Sequence, residues 1–293
     1  MHPTLFRLGP IGIHTFGLMM ACGFMAALVV IQREYRRKGI DPELASSVIF
    51  MAIVGGIAGA KLYYVGLTGW DLRNLLSGAG LAWYGGLMGG VAAVLIMLMR
   101  DKRTLRLDDA GNPIGRCLAE AIDPVGPATL IGQTCGRIGC FLSGDGDYGP
   151  PTDLPWAIAF PNGTIPPVID GEAIAVHPTM LYDVLMLGGA FAAVWMLRKV
   201  WDHRPGTLFG LSLILLAVAR FASEFWRLTK VFAFTSTPMG WETRSLRDYV
   251  DGTAWSGSLM AHGISEFQIW SLVAMAAGAV VIWRARSASR QNA

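Results

Sequence analysis

The stretch "TLFGLSLILLAVARFASEFWR", residues 207–227, decides how this chain is read. It is apolar up to Ala219, then places Arg220 and Glu224 at i and i+4, with Arg227 seven residues past Arg220. A run near 20 apolar residues is the length that crosses about 30 Å of hydrocarbon. A cation in such a run costs roughly 2.5–3.5 kcal/mol at the centre of a span. It is therefore paired, lines a wet cavity, or holds something anionic.

The rest of the chain fits a membrane setting. Of its 293 residues, 53% are hydrophobic and 15% charged, against roughly 25% charged in globular chains. The mean hydropathy is +0.45. The expected fold is an all-α polytopic membrane protein with about seven transmembrane helices, near 14–32, 44–66, 81–99, 120–142, 178–198, 207–226 and 264–283. The fourth is the most polar, holding Glu120, Asp123, Pro124, Pro127 and Arg137. Fifteen of the 24 Lys and Arg residues follow spans 1, 3, 5 and 7, among them Arg36, Arg37, Lys102, Arg103, Arg198 and Arg284. Basic loops stay in the cytoplasm, so the N-terminus is expected outside and the C-terminus inside. Only Arg7 precedes the first apolar run, which is not the pattern of a cleavable signal peptide.

The chain is expected to form a single transmembrane domain, 1–293, with outward-facing loops at about 143–177 and 227–263. Asp41-Pro42-Glu43 reads as a helix start, and Ser265-Glu266-Phe267-Gln268 as a capping box opening the last span. "GGIAGA" (55–60) and "YGGLMGG" (84–90) fit close helix packing, or a glycine backbone that approaches a lipid headgroup. Trp83, Trp156, Trp226, Trp241, Trp255 and Trp270 read as an aromatic belt. The four cysteines show neither metal-site spacing with histidine nor a disulfide framework. No metal or redox cofactor is indicated, and no nucleic-acid signature is present.

Three cations fall within expected spans: Lys61, Arg137 and Arg220. Lys61 reads as snorkelling to the outer surface. Arg137 lies in "GQTCGRIGCFLSGD" (132–145), with Gly136 and Gly139 leaving room around it; its nearest acids in sequence are Asp145 and Asp147. It is either a snorkelling arginine or an anion site, since a guanidinium fork matches phosphate oxygens. Arg220 and Glu224 share one helix face. They form either a structural ion pair or a site in which Arg220 binds an anionic oxygen while Glu224 orients it or accepts a proton. Spans 2, 4 and 6 run from inside to outside, so all three cations approach the outer leaflet. One outward-facing, lipid-accessible site for a phospholipid headgroup is the expectation.

Several segments then resemble one family. "LGPIGIHTFGLM" (8–19), "WYGGLMGG" (83–90), "GRIGCFLSGDGDYG" (136–149), "HPTMLYD" (177–183), "ARFASEFWR" (219–227) and "ISEFQIWSL" (264–272) are similar, in this order, to motifs of the prolipoprotein diacylglyceryl transferases. The resemblance implies transfer of diacylglyceryl from phosphatidylglycerol to the lipobox cysteine of a prolipoprotein in the bacterial cytoplasmic membrane. A thioether forms and glycerol 1-phosphate leaves. It implies that Arg137 and Arg220 hold the phosphate, with Glu224 as partner acid and Cys140, Ser143 and Asp145 beside them. Tyr84 and His14 are the further catalytic candidates. The chain departs from many members at Phe16 (Tyr), Tyr84 (His), Cys140 (Asn), Ser143 (Asn) and Asp145 (Glu), and an extra residue sits near Gly146. The general base stays open among Glu224, Asp145, His14 and Tyr84. His177 reads as a packing or capping residue at a helix start. Two alternatives remain: a divergent paralogue with another lipid or acceptor, and a non-catalytic membrane protein that binds lipid or signal peptides.

Overall fold

A computed structural model describes residues 3–8, 11–67, 83–107, 113–227, 231–233, 240–242 and 263–291. The chain divides into two compact units, residues 1–26 with 126–293, and residues 27–125.

Helices lie along the described residues of the expected spans. The helices are α1 (Thr15–Lys38), α2 (Leu44–Leu67), α3 (Trp83–Arg100), α4 (Leu118–Ile122), α5 (Val125–Ser143), α6 (Thr179–Leu197), α7 (Thr207–Ser223) and α8 (Glu266–Gln291). Five of these, α1, α2, α6, α7 and α8, are long and apolar enough to cross a membrane, and α3 contributes a shorter apolar helix, Gly85–Arg100. Apolar side chains face outward: Phe50, Ile57, Leu185, Met196, Val273 and Trp283 are exposed, whereas Glu34, Asp123, Asp183, Glu224 and Arg227 are buried. That inversion is what a lipid solvent selects.

The fourth expected segment is two helices. Pro124 has no N–H to donate, and α4 ends at Ile122 and α5 begins at Val125, with Asp123 between them still in helical conformation. Small β-hairpins also accompany the helices, where an all-helical chain was expected. Strand β1 (Thr4–Leu8) pairs antiparallel with β2 (Ile11–His14), β3 (Leu105–Leu107) with β4 (Pro113–Arg116), and β5 (Val168–Ile169) with β6 (Glu172–Ala173). Strand β7 (Val231–Ala233) lies between β8 (Gly240–Glu242) and β9 (Gly263–Ser265).

In the unit 27–125, α2 and α3 touch backbone to backbone. A Cβ added at Gly59 would lie 2.2 Å from the Gly85 carbonyl oxygen, and one at Gly89 2.3 Å from that of Gly55. The glycine clusters therefore serve helix packing. Lys38 pairs with buried Asp123 at 3.2 Å, and the Tyr35 hydroxyl donates to the Ala121 carbonyl at 2.8 Å.

In the other unit, α5 is the hub. Gly132 and Gly139 face α1, where a Cβ at Gly139 would meet Met19 and Phe16, and Gly126 faces Ser212 and Phe209 of α7. Helices α7 and α8 cross where Gly210 and Gly278 face each other's carbonyl oxygens. The capping box forms as expected: the Gln268 N–H donates to the Ser265 hydroxyl and the Ser265 N–H to the Gln268 side-chain oxygen, both at 3.0 Å. At the start of α2, the Glu43 N–H donates to the Asp41 carboxylate at 2.9 Å.

Candidate active site

Helix α5 ends at Ser143 because Gly144 takes a left-handed conformation, φ 60°, and closes the last turn by donating its N–H to the Cys140 carbonyl. A second left-handed glycine, Gly146 at φ 92°, follows. Neither position suits a residue with a Cβ. The chain thereby doubles back over the end of α5 and brings Asp147 to Arg137, ten residues earlier. The segment 143–177 carries its own order. Tyr148, Phe160 and Val176 pack with Cys140 and Met180 in one apolar cluster, and Pro151 and Ile158 both bridge to Val176.

Four charged side chains meet there. Arg137 pairs with Asp147 through Nη1 and with Asp183 of α6 through Nε at 3.2 Å. Arg227, just past α7, bridges the same two acids: Nη1 to Asp147 and Nη2 to Asp183, each at 2.9 Å. Asp183 and Arg227 are buried, with side-chain exposures of 3% and 5%; Arg137 is partly buried at 15%, and Asp147 is 37% exposed. Burial works to raise the Asp147 pKa, but Arg227, Arg137 and Arg220 outweigh it and hold its carboxyl well below the usual carboxylate range.

Arg220 and Glu224 form the expected i, i+4 pair at 2.5 Å, although Glu224 sits in the 3-10 turn that follows α7. Glu224 is fully buried. The Arg220 guanidinium lies over the Phe267 ring, 4.2 Å from its centroid, and its Nη1 is buried with no hydrogen-bond partner among the described residues. A buried donor without an acceptor is costly, and Arg227 Nε shares that state among the described residues.

The other expected site residues are placed as follows. Cys140 Sγ is 3.8 Å from Arg137 Nη1, a weak contact. Ser143 donates its hydroxyl to the Cys140 carbonyl, within its own helix. The Asp145 carboxylate accepts the Asp147 N–H at 3.3 Å, a turn-forming role. His14 is exposed at the end of β2, 3.3 Å from the Thr4 hydroxyl. Tyr84 lies in the first turn of α3, its side chain outside the described residues, and belongs with Lys61 to the unit 27–125.

His177 does pack at a helix start: its Nδ1 is 3.0 Å from the Tyr182 hydroxyl, which also accepts the Trp156 indole N–H at 2.9 Å. Burial lowers its pKa, so the ring is neutral at pH 7. Cys140, Asp145 and Asp147 bring their ligand atoms within 4.8 Å of one another, the one such metal-compatible group among the described residues. Both oxygens of Asp147 are engaged by arginines, and that donor set favours ion pairing over coordination. Asp147, Asp183 and Arg227 are the charged residues to which sequence reading assigned no role. The signal available was that each falls in a quoted motif segment.

The comparisons with known proteins identify a family. Residues 3–284 match the family described as prolipoprotein diacylglyceryl transferase. A protein of Clostridium tetani named phosphatidylglycerol–prolipoprotein diacylglyceryl transferase is 30% identical over 78% of this chain and 86% of its own length. Proteins of the same name are similar too. That of Gloeobacter violaceus is 27% identical over 99% of this chain and 96% of its length, and that of Mannheimia succiniciproducens 31% identical over 77% and 79%. With its apolar helices and the arginines of the matching motifs, this chain belongs to the prolipoprotein diacylglyceryl transferase family.

Proposed function

We propose that this chain is a phosphatidylglycerol–prolipoprotein diacylglyceryl transferase of the bacterial cytoplasmic membrane that alkylates the lipobox cysteine thiol. The observation that carries this reading is the fork of Arg137 and Arg227 on Asp147 and Asp183, with the Arg220–Glu224 pair in the matching motif, in a chain of apolar helices. Family membership supports the transferase activity. The thiolate sulfur attacks the glyceryl carbon, the carbon–oxygen bond to phosphate breaks, and its electron pair leaves on glycerol 1-phosphate. Negative charge on the phosphate grows in that step, and fixed guanidinium groups stabilise it without reorganising.

In this reading Arg137 and Arg220 hold the phosphate, and the unpartnered Nη1 of Arg220 donates to it. Glu224 fixes Arg220; its full burial against that arginine favours an orienting role over a proton-accepting one. Cys140, Ser143 and Asp145 shape the turn beside Arg137. The thiol proton goes to His14, Tyr84 or Asp145. The chain works as one transmembrane domain of seven spans, N-terminus outside and C-terminus in the cytoplasm, with the segments 143–177 and 227–263 facing outward.

The test mixes purified protein with phosphatidylglycerol and a lipobox peptide and follows peptide mass and glycerol phosphate release. Product that disappears in Arg137→Ala is the expected result. No product from folded protein that still binds phosphatidylglycerol would favour the lipid-binding alternative.

A further inference from the structure

The arginine group is electrically satisfied by its own acids. Arg137 and Arg227 are matched by Asp147 and Asp183, and Arg220 by Glu224. An anionic headgroup entering this group would add an uncompensated charge unless one acid left. The three acids differ in their freedom to leave. Glu224 and Asp183 are buried, and turning either away would strand a charge in a low-dielectric interior. Asp147 is more than a third exposed. Its backbone is held apart from its carboxylate: the N–H by Asp145, the carbonyl by the Thr179 hydroxyl. Rotation about its side-chain bonds is enough to send the carboxylate to water.

We propose that the Asp147 carboxylate is a resident anion that occupies the Arg137–Arg227 fork in the empty site and is displaced there by the phosphodiester of the lipid donor. This rests on the reading of the arginines as the headgroup site, with Arg227 lining it beside Arg137 and Arg220. Charge matching supports it. A phosphodiester carries one negative charge, as does a carboxylate, so the exchange keeps the group neutral. The product is a phosphomonoester, whose second ionisation lies near pH 6, so it carries nearly two charges at pH 7. The exchange therefore balances for the donor lipid and not for the product, and a returning Asp147 competes the product out. Asp183 remains throughout as the fixed strut between the two arginines.

A self-occupied site binds more weakly by the fraction of time it is free. Short-chain phosphatidylglycerol is titrated into the detergent-solubilised native chain and into Asp147→Asn and Asp147→Ser, with no peptide present and phosphatidylcholine as the zwitterionic control. Removing a plug that is closed about nine-tenths of the time strengthens phosphatidylglycerol binding about tenfold, with phosphatidylcholine unaffected. Equal or weaker binding in both variants overturns the proposal. Should neither variant fold, infrared difference spectra of the native chain decide. A carboxylate band that shifts on adding phosphatidylglycerol supports the exchange, and an unchanged band overturns it. Binding and turnover are read separately. Tighter binding without any transfer keeps the plug and sinks the transferase reading, whereas transfer with unaltered binding does the reverse.

Discussion

Arg137 touches both Asp147 and Asp183, so its guanidinium, proposed to hold the phosphate, is also a structural link between α5, α6 and the segment after α5. Arg137→Lys replaces a planar fork by a point charge that cannot serve both acids. Turnover should fall at least about tenfold, an amount that about 1.4 kcal/mol of transition-state stabilisation supplies, while helix content by circular dichroism is kept. Arg137→Ala leaves Asp183 and Asp147 on Arg227 alone. Breaking a buried pair costs roughly 3–5 kcal/mol, so this variant should also lose melting temperature. The pH dependence follows from Asp147. Its folded pKa is depressed, so its stabilisation is complete above the ordinary carboxylate pKa of about 4 and is lost as pH falls through the lower folded value. A thermal scan from pH 7 to pH 3 should show the native chain losing more melting temperature than Asp147→Asn over the acid end.

At the scale of elements, the decisive residues are the smallest ones. A Cβ at Gly149 would sit 2.0 Å from the Trp226 carbonyl oxygen, so Gly149→Ala must displace the turn that carries Arg227 or the segment that carries Asp147. Activity should drop without any change in charge. The α2–α3 contact makes the same point away from the site. Gly59→Leu drives a side chain into the Gly85 backbone and should separate the two helices. Overpacking typically costs about 1–3 kcal/mol, and limited proteolysis or a lower melting temperature in detergent would report it. Ser265→Ala removes one half of the capping box that opens α8 and should cost about 1 kcal/mol.

At the scale of the whole molecule, the pattern of exposed apolar and buried ionised side chains says which solvent the helices were selected for. The basic residues of alternate loops set the proposed orientation. A fluorescent-protein fusion after residue 293 should fluoresce in the cytoplasm, and the loop at 143–177 should accept a membrane-impermeant label from outside when a cysteine is placed at exposed Asp170 or Glu172. A dark C-terminal fusion, or labelling from the inner face, would reverse the topology.

Chain length and hydropathy were enough to find every long helix among the described residues, because a membrane span needs about 20 apolar residues in succession and that requirement is local. The capping box, the i, i+4 pair of Arg220 and Glu224 and the glycine-lined helices were legible for the same reason: each is a spacing rule within one helix or one turn. The full set around Arg137 was not: Asp147 was named as a near acid, whereas Asp183 and the bridging Arg227 were not connected to it. Asp183 lies 46 residues further on, and Arg227 90 residues further on. Which acid meets which arginine depends on how α5, α6 and the end of α7 pack. Sequence could show that charges inside apolar helices needed an account; tertiary structure decided that they neutralise one another around Asp147, the least buried acid of the group.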